Sequence, residues 1–276
     1  MGGTGKTLTV IALCKFFLKI GKKPIVISRG FRGKSCHYPL KIRSNTPVLE
    51  SGDEPLMIYE KFKGRVQVIV DPNRVRGVKF IEERCKADLI ISDDGLQHYN
   101  MGRMIEIVMV DLKYKLFGNY LCLPFGPLRE PLKRIYECDY ILTNEKISCK
   151  LENNYHITIK ALGFINVVTR KFLSVKKFVD IYKKINVVSG IGNPESFMET
   201  ILKLGLEVNK TVIFQDHHQY NANDLCSIIS LEVVMTEKDA VKCREFAFKN
   251  CWYLKVEMVM EQSFLQLLKK RISSPI

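Results

Sequence analysis

Met1-Gly2-Gly3-Thr4-Gly5-Lys6-Thr7, followed at once by an apolar run from Leu8 to Ile20 and then Gly21, is the stretch that decides how this chain is read. The pattern G-x-x-x-x-G-K-[ST] places Gly5, Lys6 and Thr7 at its last three positions. Such loops work because small residues let backbone N–H groups close round phosphates, while the lysine reaches the β/γ-phosphates and the hydroxyl holds Mg²⁺. Gly2, Gly3, Thr4, Gly5, Lys6 and Thr7 are therefore the candidate nucleotide contacts, with ATP and Mg²⁺ the expected ligands. A flexible Gly-rich terminus is the competing reading, and it leaves the helix-like run and its glycine stop without a cause. The first glycine of the pattern would lie one residue before Met1. The chain is thus expected to begin inside the motif, without the buried strand from which such a loop normally hangs.

With 276 residues, 46% of them hydrophobic, the chain can bury one large core or two modest ones. Nine scattered cysteines with no C-x-x-C pair argue against a disulfide framework or a cysteine metal site, and suit a reducing compartment. No apolar run approaches the roughly 18 to 20 residues of a membrane span, and no charged-then-apolar leader opens the chain, so a soluble or peripheral protein is expected. The net charge of +14 favours an anionic partner: a nucleotide, a nucleic acid or an acidic membrane surface. Half of it falls between Lys146 and Lys184, where nine basic residues face only Glu152 and Asp180. That segment reads as a basic linker, a β-hairpin or a lipid-facing edge, with a plain solvated surface as the bland alternative. Nucleic acid is not expected, because neither a recognition helix nor an RNP-like pattern of basic and stacking residues is present.

Short apolar runs at Pro24 to Ser28, Val66 to Val70, Leu89 to Ser92, Ile105 to Val110 and Tyr140 to Thr143 end in turn residues and are separated by helix-length stretches. This is the pattern of an α/β fold with a mostly parallel sheet. After the basic segment it restarts: a strand at Ile185 to Ser189, a helix ending near Gly205, strands at Thr211 to Phe214 and Glu232 to Met235, a helix from about Asn223, and a last strand near Trp252. The expected organisation is a P-loop nucleotide-binding domain over 1–145, its first strand missing, the basic segment over 146–184, and a second, smaller α/β domain over 185–276. Gly190-Ile191-Gly192 lacks the third glycine of a dinucleotide fingerprint and reads as a plain strand-to-helix turn.

Acidic clusters at strand ends carry the chemistry, because open α/β sheets bind ligands beyond the carboxyl ends of their strands. Asp93-Asp94 follows Leu89-Ile90-Ile91-Ser92, where a nucleotide-binding fold puts the carboxylate that holds Mg²⁺ directly or through water. A solvated turn or a helix cap is the alternative for the pair on its own. Three further groups exceed what nucleotide hydrolysis needs: Ser51-Gly52-Asp53-Glu54-Pro55, Arg129-Glu130-Pro131 after Pro124-Phe125-Gly126-Pro127, and Gln215-Asp216-His217-His218. Phosphoryl transfer to a hydroxyl gains from a carboxylate or imidazole that accepts the hydroxyl proton, a task that Asp53 and a histidine can share. Taken singly, an Asp in such a loop is usually a turn residue and a His pair after a strand is usually surface.

Together these strings resemble one family. Gly-Gly-Thr-Gly-Lys-Thr, Ser28-Arg29-Gly30, Gly52-Asp53-Glu54-Pro55, Asp93-Asp94-Gly95-Leu96-Gln97-His98, Gly126-Pro127-Leu128-Arg129-Glu130-Pro131, Phe214-Gln215-Asp216-His217-His218 and Thr236-Glu237-Lys238-Asp239-Ala240-Val241-Lys242 are similar, in order, to tetraacyldisaccharide 4'-kinases. The resemblance implies a membrane-peripheral P-loop enzyme that moves the ATP γ-phosphate to the 4'-hydroxyl of a tetraacyl disaccharide 1-phosphate in lipid A biosynthesis. It further implies a monomer at the cytoplasmic face of a bacterial inner membrane, with the lipid and an anionic membrane surface as partners.

Roles carry over where residues match. Lys6 and Thr7 match the phosphate-binding lysine and Mg²⁺-binding hydroxyl, Asp93, Asp94 and Glu130 the acidic residues round the metal, and Asp53 the base, with Glu54 beside it. His217, directly after Asp216, is assigned to orient and polarise that base, and His218 is held in reserve. Arg29, Arg129 and Lys238 are expected at phosphates. Two departures stand out. The family reads Ser-Arg-Gly-Tyr-Gly where this chain has Ser28-Arg29-Gly30-Phe31-Arg32-Gly33, so a phenol is lost and an arginine replaces a glycine. The family also has an amphipathic membrane-associating helix and a strand ahead of the loop. The alternative reading is a deviant P-loop switch ATPase acting on a membrane or nucleic acid, which matches the loop but has no use for Asp53 or Asp216-His217-His218.

Overall fold

The protein is described here by a computed structural model over residues 5–111, 118–144 and 153–273. In chain order the elements are α1 (Lys6–Lys19), β1 (Pro24–Ser28), β2 (Leu40–Lys41), α2 (Val48–Ser51), α3 (Asp53–Phe62), β3 (Gln67–Val70), α4 (Arg74–Arg84), β4 (Leu89–Ser92) and β5 (Ile107–Val110). A 3₁₀ turn, Leu132–Glu137, precedes β6 (Tyr140–Thr143), β7 (Asn154–Asn166), β8 (Phe172–Ser174), α5 (Val175–Ile181), β9 (Lys184–Ser189) and α6 (Pro194–Lys203). The chain continues with β10 (Glu207–Ile213), α7 (Ala222–Cys226), β11 (Val233–Thr236), α8 (Glu237–Cys243), β12 (Cys251–Met260) and α9 (Gln262–Ser273). Two compact units form, one from Gly30–Val70 with Ala161–Glu257, the other from 5–29, Asp71–Lys160 and 258–273. These units interleave along the chain, because strand pairing gathers segments by edge and not by order.

The unit that begins at residue 5 carries the glycine-lysine loop. Helix α1 buries Val10, Ile11, Leu13, Cys14 and Phe17 and stops as the sequence indicates: Gly21 takes φ 78°, and the N–H of Lys22 reaches back to the Phe17 carbonyl at 2.9 Å. Strands β1 and β4 pair in parallel with Ile27 opposite Ser92, and the N–H of Asp93 bonds the Ile27 carbonyl at 3.0 Å. Asp93 therefore sits where β4 runs out, as its place in the sequence requires. Strands β5 and β6 pair in parallel, as do β6 and the start of β7. Leu13, Phe17, Leu142, Ile157, Met258, Met260, Phe264 and Leu268 form the core beneath them.

In the other unit β10, β9, β11 and β12 form a parallel array in that order. Alternate residues feed opposite faces: Val187, Val234, Trp252 and Leu254 enter one core, Val188, Val233, Met235, Cys251 and Tyr253 the other. Burial on both faces is why central β9 and β11 read as short, mostly apolar runs, whereas β10 at the edge is largely exposed. Phe164 stacks on Phe178 at 3.9 Å between ring centroids, with Trp252 edge-on to Phe178 at 5.3 Å.

The mostly parallel α/β architecture agrees with the sequence reading, and β1, β4 and β6 occupy the expected residues. Long β7 and its antiparallel partner β8 lie in the segment read as a basic linker, a β-hairpin or a lipid-facing edge. Residues 146–152 of that segment lie outside the described residues. Among the described residues no helix is long and apolar enough to cross a membrane.

Candidate active site

Residues Gly30 to Gly33 and Ser51 to Asp53 interlock backbone to backbone. Gly52 has φ 82°, and a Cβ there would lie 2.8 Å from the Phe31 carbonyl oxygen, while one on Gly30, at φ 69°, would lie 2.3 Å from a Val70 methyl. Only glycine meets both demands, so the two glycine-bearing motifs are one construction. It delivers Asp53 as the first residue of α3, where the unpaired N–H groups of a helix start favour a carboxylate.

Asp53 is 5% exposed, and its two oxygens lie 3.2 and 3.1 Å from Nδ1 of His217. On the far side of the imidazole, Nε2 faces the Lys238 ammonium at 3.2 Å. A cation on that side and a carboxylate on the other suit the tautomer with the proton on Nδ1. Lys238 also meets Glu54 at 3.1 Å, Asp216 at 3.3 Å and Asp53 at 3.7 Å. Burial by itself would raise the Asp53 carboxyl, but the His217 hydrogen bond and the Lys238 charge more than offset it and hold the group below the ordinary carboxylate range. Burial likewise depresses Lys238, and Asp53, Glu54 and Asp216 more than restore it, so its ammonium is held above the usual lysine value.

His217 is held by its backbone too. It has φ 63°, a left-handed conformation that costs a non-glycine residue about 1–2 kcal/mol and persists only when its surroundings enforce it. Its N–H donates to the Gly190 carbonyl at 3.2 Å, and the Gly190 N–H donates to buried Asp239 at 3.2 Å. Its own carbonyl accepts from the Arg32 guanidinium at 3.1 Å, and its ring meets Phe31 edge-on at 4.9 Å. Arg32 stands where glycine was expected and still takes φ 62°, so the loop keeps a glycine-like conformation with an arginine in it. The plain turn at Gly190 and the helix start at Thr236, whose side chain caps the Asp239 N–H, thus both bear on His217.

The second cluster belongs to the unit carrying α1. Lys6 pairs with Asp94 at 2.7 Å, and Arg129 pairs with both Asp94 oxygens at 2.8 Å. Burial pushes the Asp94 carboxyl up, and Lys6 and then Arg129 outweigh that and bring it down. Asp93 is almost wholly buried at the β4 end, and the guanidinium of buried Arg74 donates to its carbonyl at 2.6 Å. Burial lowers Arg74 to about 10. Glu130 accepts from the Tyr99 hydroxyl, and Thr7 lies in the first turn of α1. Gly2, Gly3 and Thr4 lie outside the described residues. Among the described residues no three His, Cys, Asp or Glu side chains stand together as a metal-ligand group. Mg²⁺ bound with a nucleotide needs only one or two protein carboxylates beside the phosphates and water, and the hard oxygens of Asp93 and Asp94 at the end of β4 are of the kind it takes, with Thr7 and Glu130 the other expected ligands.

Asp53 and His217, 164 positions apart, are thus brought together, while His218 turns away to Asp224 at 3.0 Å and stacks on Phe214. Lys238, expected at a phosphate, is in this structure the cation among three carboxylates and His217, a placement set by the α8 start and invisible to spacing. Arg74, Phe31 and Arg32 were not singled out for these contacts. Only the departure of Phe31-Arg32 from the family pattern pointed their way.

A lysine loop opening a helix, an acidic strand end and a buried carboxylate–imidazole pair define the class: a P-loop phosphotransferase. Residues 1–273 match the family described as Tetraacyldisaccharide-1-P 4'-kinase, and the chain belongs to that family of kinases. It is 43% identical over 268 residues to the tetraacyldisaccharide 4'-kinase of Francisella philomiragia, covering 94% of this chain and 82% of that protein. With the enzyme of the same name from Francisella tularensis subsp. novicida it shares 41% identity over 267 residues, at the same coverage. The crystal structure of LpxK from Aquifex aeolicus in complex with ATP superposes with a TM-score of 0.79 at 24% identity, covering 99% of this chain and 85% of that one. Family membership sets aside the switch-ATPase reading.

Proposed function

We propose that this kinase transfers the γ-phosphate of ATP to the 4'-hydroxyl of a tetraacyl disaccharide 1-phosphate, as a monomer at the cytoplasmic face of a bacterial inner membrane, in lipid A biosynthesis. The observation that carries the reading is the Asp53–His217 pair at 3.1 Å, buried and poised by Lys238. The family's name supplies the acceptor, and the ATP in the Aquifex aeolicus structure supplies the donor.

Asp53 is held ionised, so it can take the proton from the acceptor hydroxyl as that oxygen attacks the γ-phosphorus. The bond from the γ-phosphorus to the bridging oxygen breaks, and ADP leaves with the electron pair. His217 fixes the direction of the Asp53 lone pairs through Nδ1–H. Lys6, the backbone of Gly2 to Gly5 and Arg129 hold the phosphates, and Asp94, which pairs both cations in this structure, keeps them oriented. Mg²⁺ held through Thr7, Asp93, Asp94 and Glu130 would offset charge on the β/γ-phosphates.

The test is transfer of labelled γ-phosphate to the tetraacyl disaccharide 1-phosphate in detergent micelles with Mg²⁺. A bisphosphorylated lipid is expected, lost in Asp53→Asn. ATP hydrolysis without lipid labelling, or labelling untouched by Asp53→Asn, overturns the reading of the substrate or of the base respectively.

A further inference from the structure

We infer that the loop from Gly118 to Leu128 is a membrane-insertion tip that seats the nucleotide-binding unit on an anionic bilayer, an inference that rests on the proposed lipid acceptor. Its side chains face outward against the usual rule: Phe125 is 80% exposed, and Tyr120, Leu121 and Leu123 are each more than half exposed. A soluble loop exposes polar groups and lets water serve its backbone. This one does the reverse. Between Leu121 and Leu128 the N–H groups of Leu121, Leu123, Phe125, Gly126 and Leu128 all donate within the loop, to Asn119 Oδ1 and to the carbonyls of Leu128, Cys122, Cys122 and Leu121. Pro124 and Pro127 carry no N–H, and the Phe125 carbonyl at the tip accepts from the Asn119 amide at 2.8 Å. A loop that pairs much of its own backbone while holding apolar side chains outside suits entry into lipid, since an unpaired N–H in hydrocarbon costs several kcal/mol.

Charge names the occupant. Within 118–134, Lys133 and the Arg129 guanidinium, which is shared with Asp94, lie close to Tyr120, Leu123 and Phe125 along the chain, and the chain as a whole carries a net charge of +14. Basic residues flanking aromatic and leucine side chains suit an acidic lipid–water interface. A second copy of a chain with net charge +14 is repelled by the same groups. The loop is also continuous with the site: Arg129, paired to Asp94, lies four residues beyond Phe125, at most roughly 14 Å of extended chain. Insertion of the tip would hold that ion pair at headgroup depth, where the acceptor's sugar hydroxyls lie.

The chain has one tryptophan, Trp252, which is buried, so an added one reports alone. In the full chain, Phe125→Trp is mixed with vesicles of phosphatidylethanolamine and phosphatidylglycerol at 3:1. A blue shift of its emission and quenching by brominated acyl chains are expected, with Trp252 in the parent protein unmoved. Leu123→Ser with Phe125→Ser should weaken vesicle binding at least tenfold and slow transfer to vesicle-borne acceptor, while transfer in detergent micelles stays at the parent rate. No shift with vesicles, a shift that needs protein concentration and no lipid, or one that needs the acceptor and not the bilayer, each overturns the inference. The micelle assay reads the kinase function separately, so parent protein inactive there with a tip that still inserts would sink the proposed acceptor and leave the tip.

Discussion

Replacing Arg32 with glycine restores the residue expected at that position and removes one specific contact, so it separates stability from catalysis. The terms nearly cancel in the fold. Relief of the φ 62° strain returns about 1–2 kcal/mol. The lost hydrogen bond to the His217 carbonyl costs about 1 kcal/mol, and the added freedom of the unfolded chain about 0.5–1 kcal/mol. Melting should therefore move by less than about 4 °C. The active geometry has no such compensation, because His217 is itself at φ 63° and its carbonyl loses the donor that helps hold it there. A displacement of about 1 Å in a positioning group costs on the order of 10²-fold in rate. The expected result is kcat lower by roughly 10- to 100-fold, with KM for ATP unchanged and calorimetric unfolding nearly so, and part of the loss restored in Arg32→Lys. Parent-level kcat in Arg32→Gly, or a rate loss that merely follows a collapse in melting temperature, refutes the argument that Arg32 positions His217.

Three further outcomes follow from the same geometry. Lys238→Met removes the ammonium that keeps Asp53 ionised; since the folded carboxyl sits below its ordinary value and must be deprotonated to act, the acid limb of kcat/KM should move to higher pH. The stability Asp53 contributes above the unfolded carboxyl range, lost as pH falls, should shrink in the same variant, which urea titrations at two pH values would register. Asp53→Asn and His217→Ala should each lower kcat by about 10² to 10⁴, and if they act as one unit the double variant should be little worse than either; fully multiplicative losses would dissolve the pair. Phe178→Ala, emptying the stack between Phe164 and Trp252, should destabilise the fold by about 3–5 kcal/mol, read from Trp252 fluorescence in urea, and a loss under 1 kcal/mol would mean that this core repacks freely.

Local physics made much of this protein legible in advance. Short apolar runs bounded by turn residues located β1, β4 and β6 to the residue, because such runs leave little polar pattern to mislead. The α1 stop at Gly21 was equally plain, since a left-handed helix end asks for glycine. Ordered motif strings were enough to point to the family, because each string carries a glycine, carboxylate or cation whose chemistry is local. What the sequence left undecided depends on separation along the chain. That His217 and not His218 meets Asp53 follows from a left-handed residue held between Gly190 and Arg32, contacts 27 and 185 positions away. That Lys238 meets Asp53, Glu54 and Asp216 follows from where the α8 start places it, which spacing along the chain does not report. The bounds of β7 were not legible, since its exposed residues, Thr158, Ile159, Lys160 and Leu162, mix polar with apolar groups and leave no clean alternation along the strand. Spacing determines what a segment is, and only packing decides which distant segment it meets, because the burial and hydrogen bonding that select partners belong to no single stretch of chain.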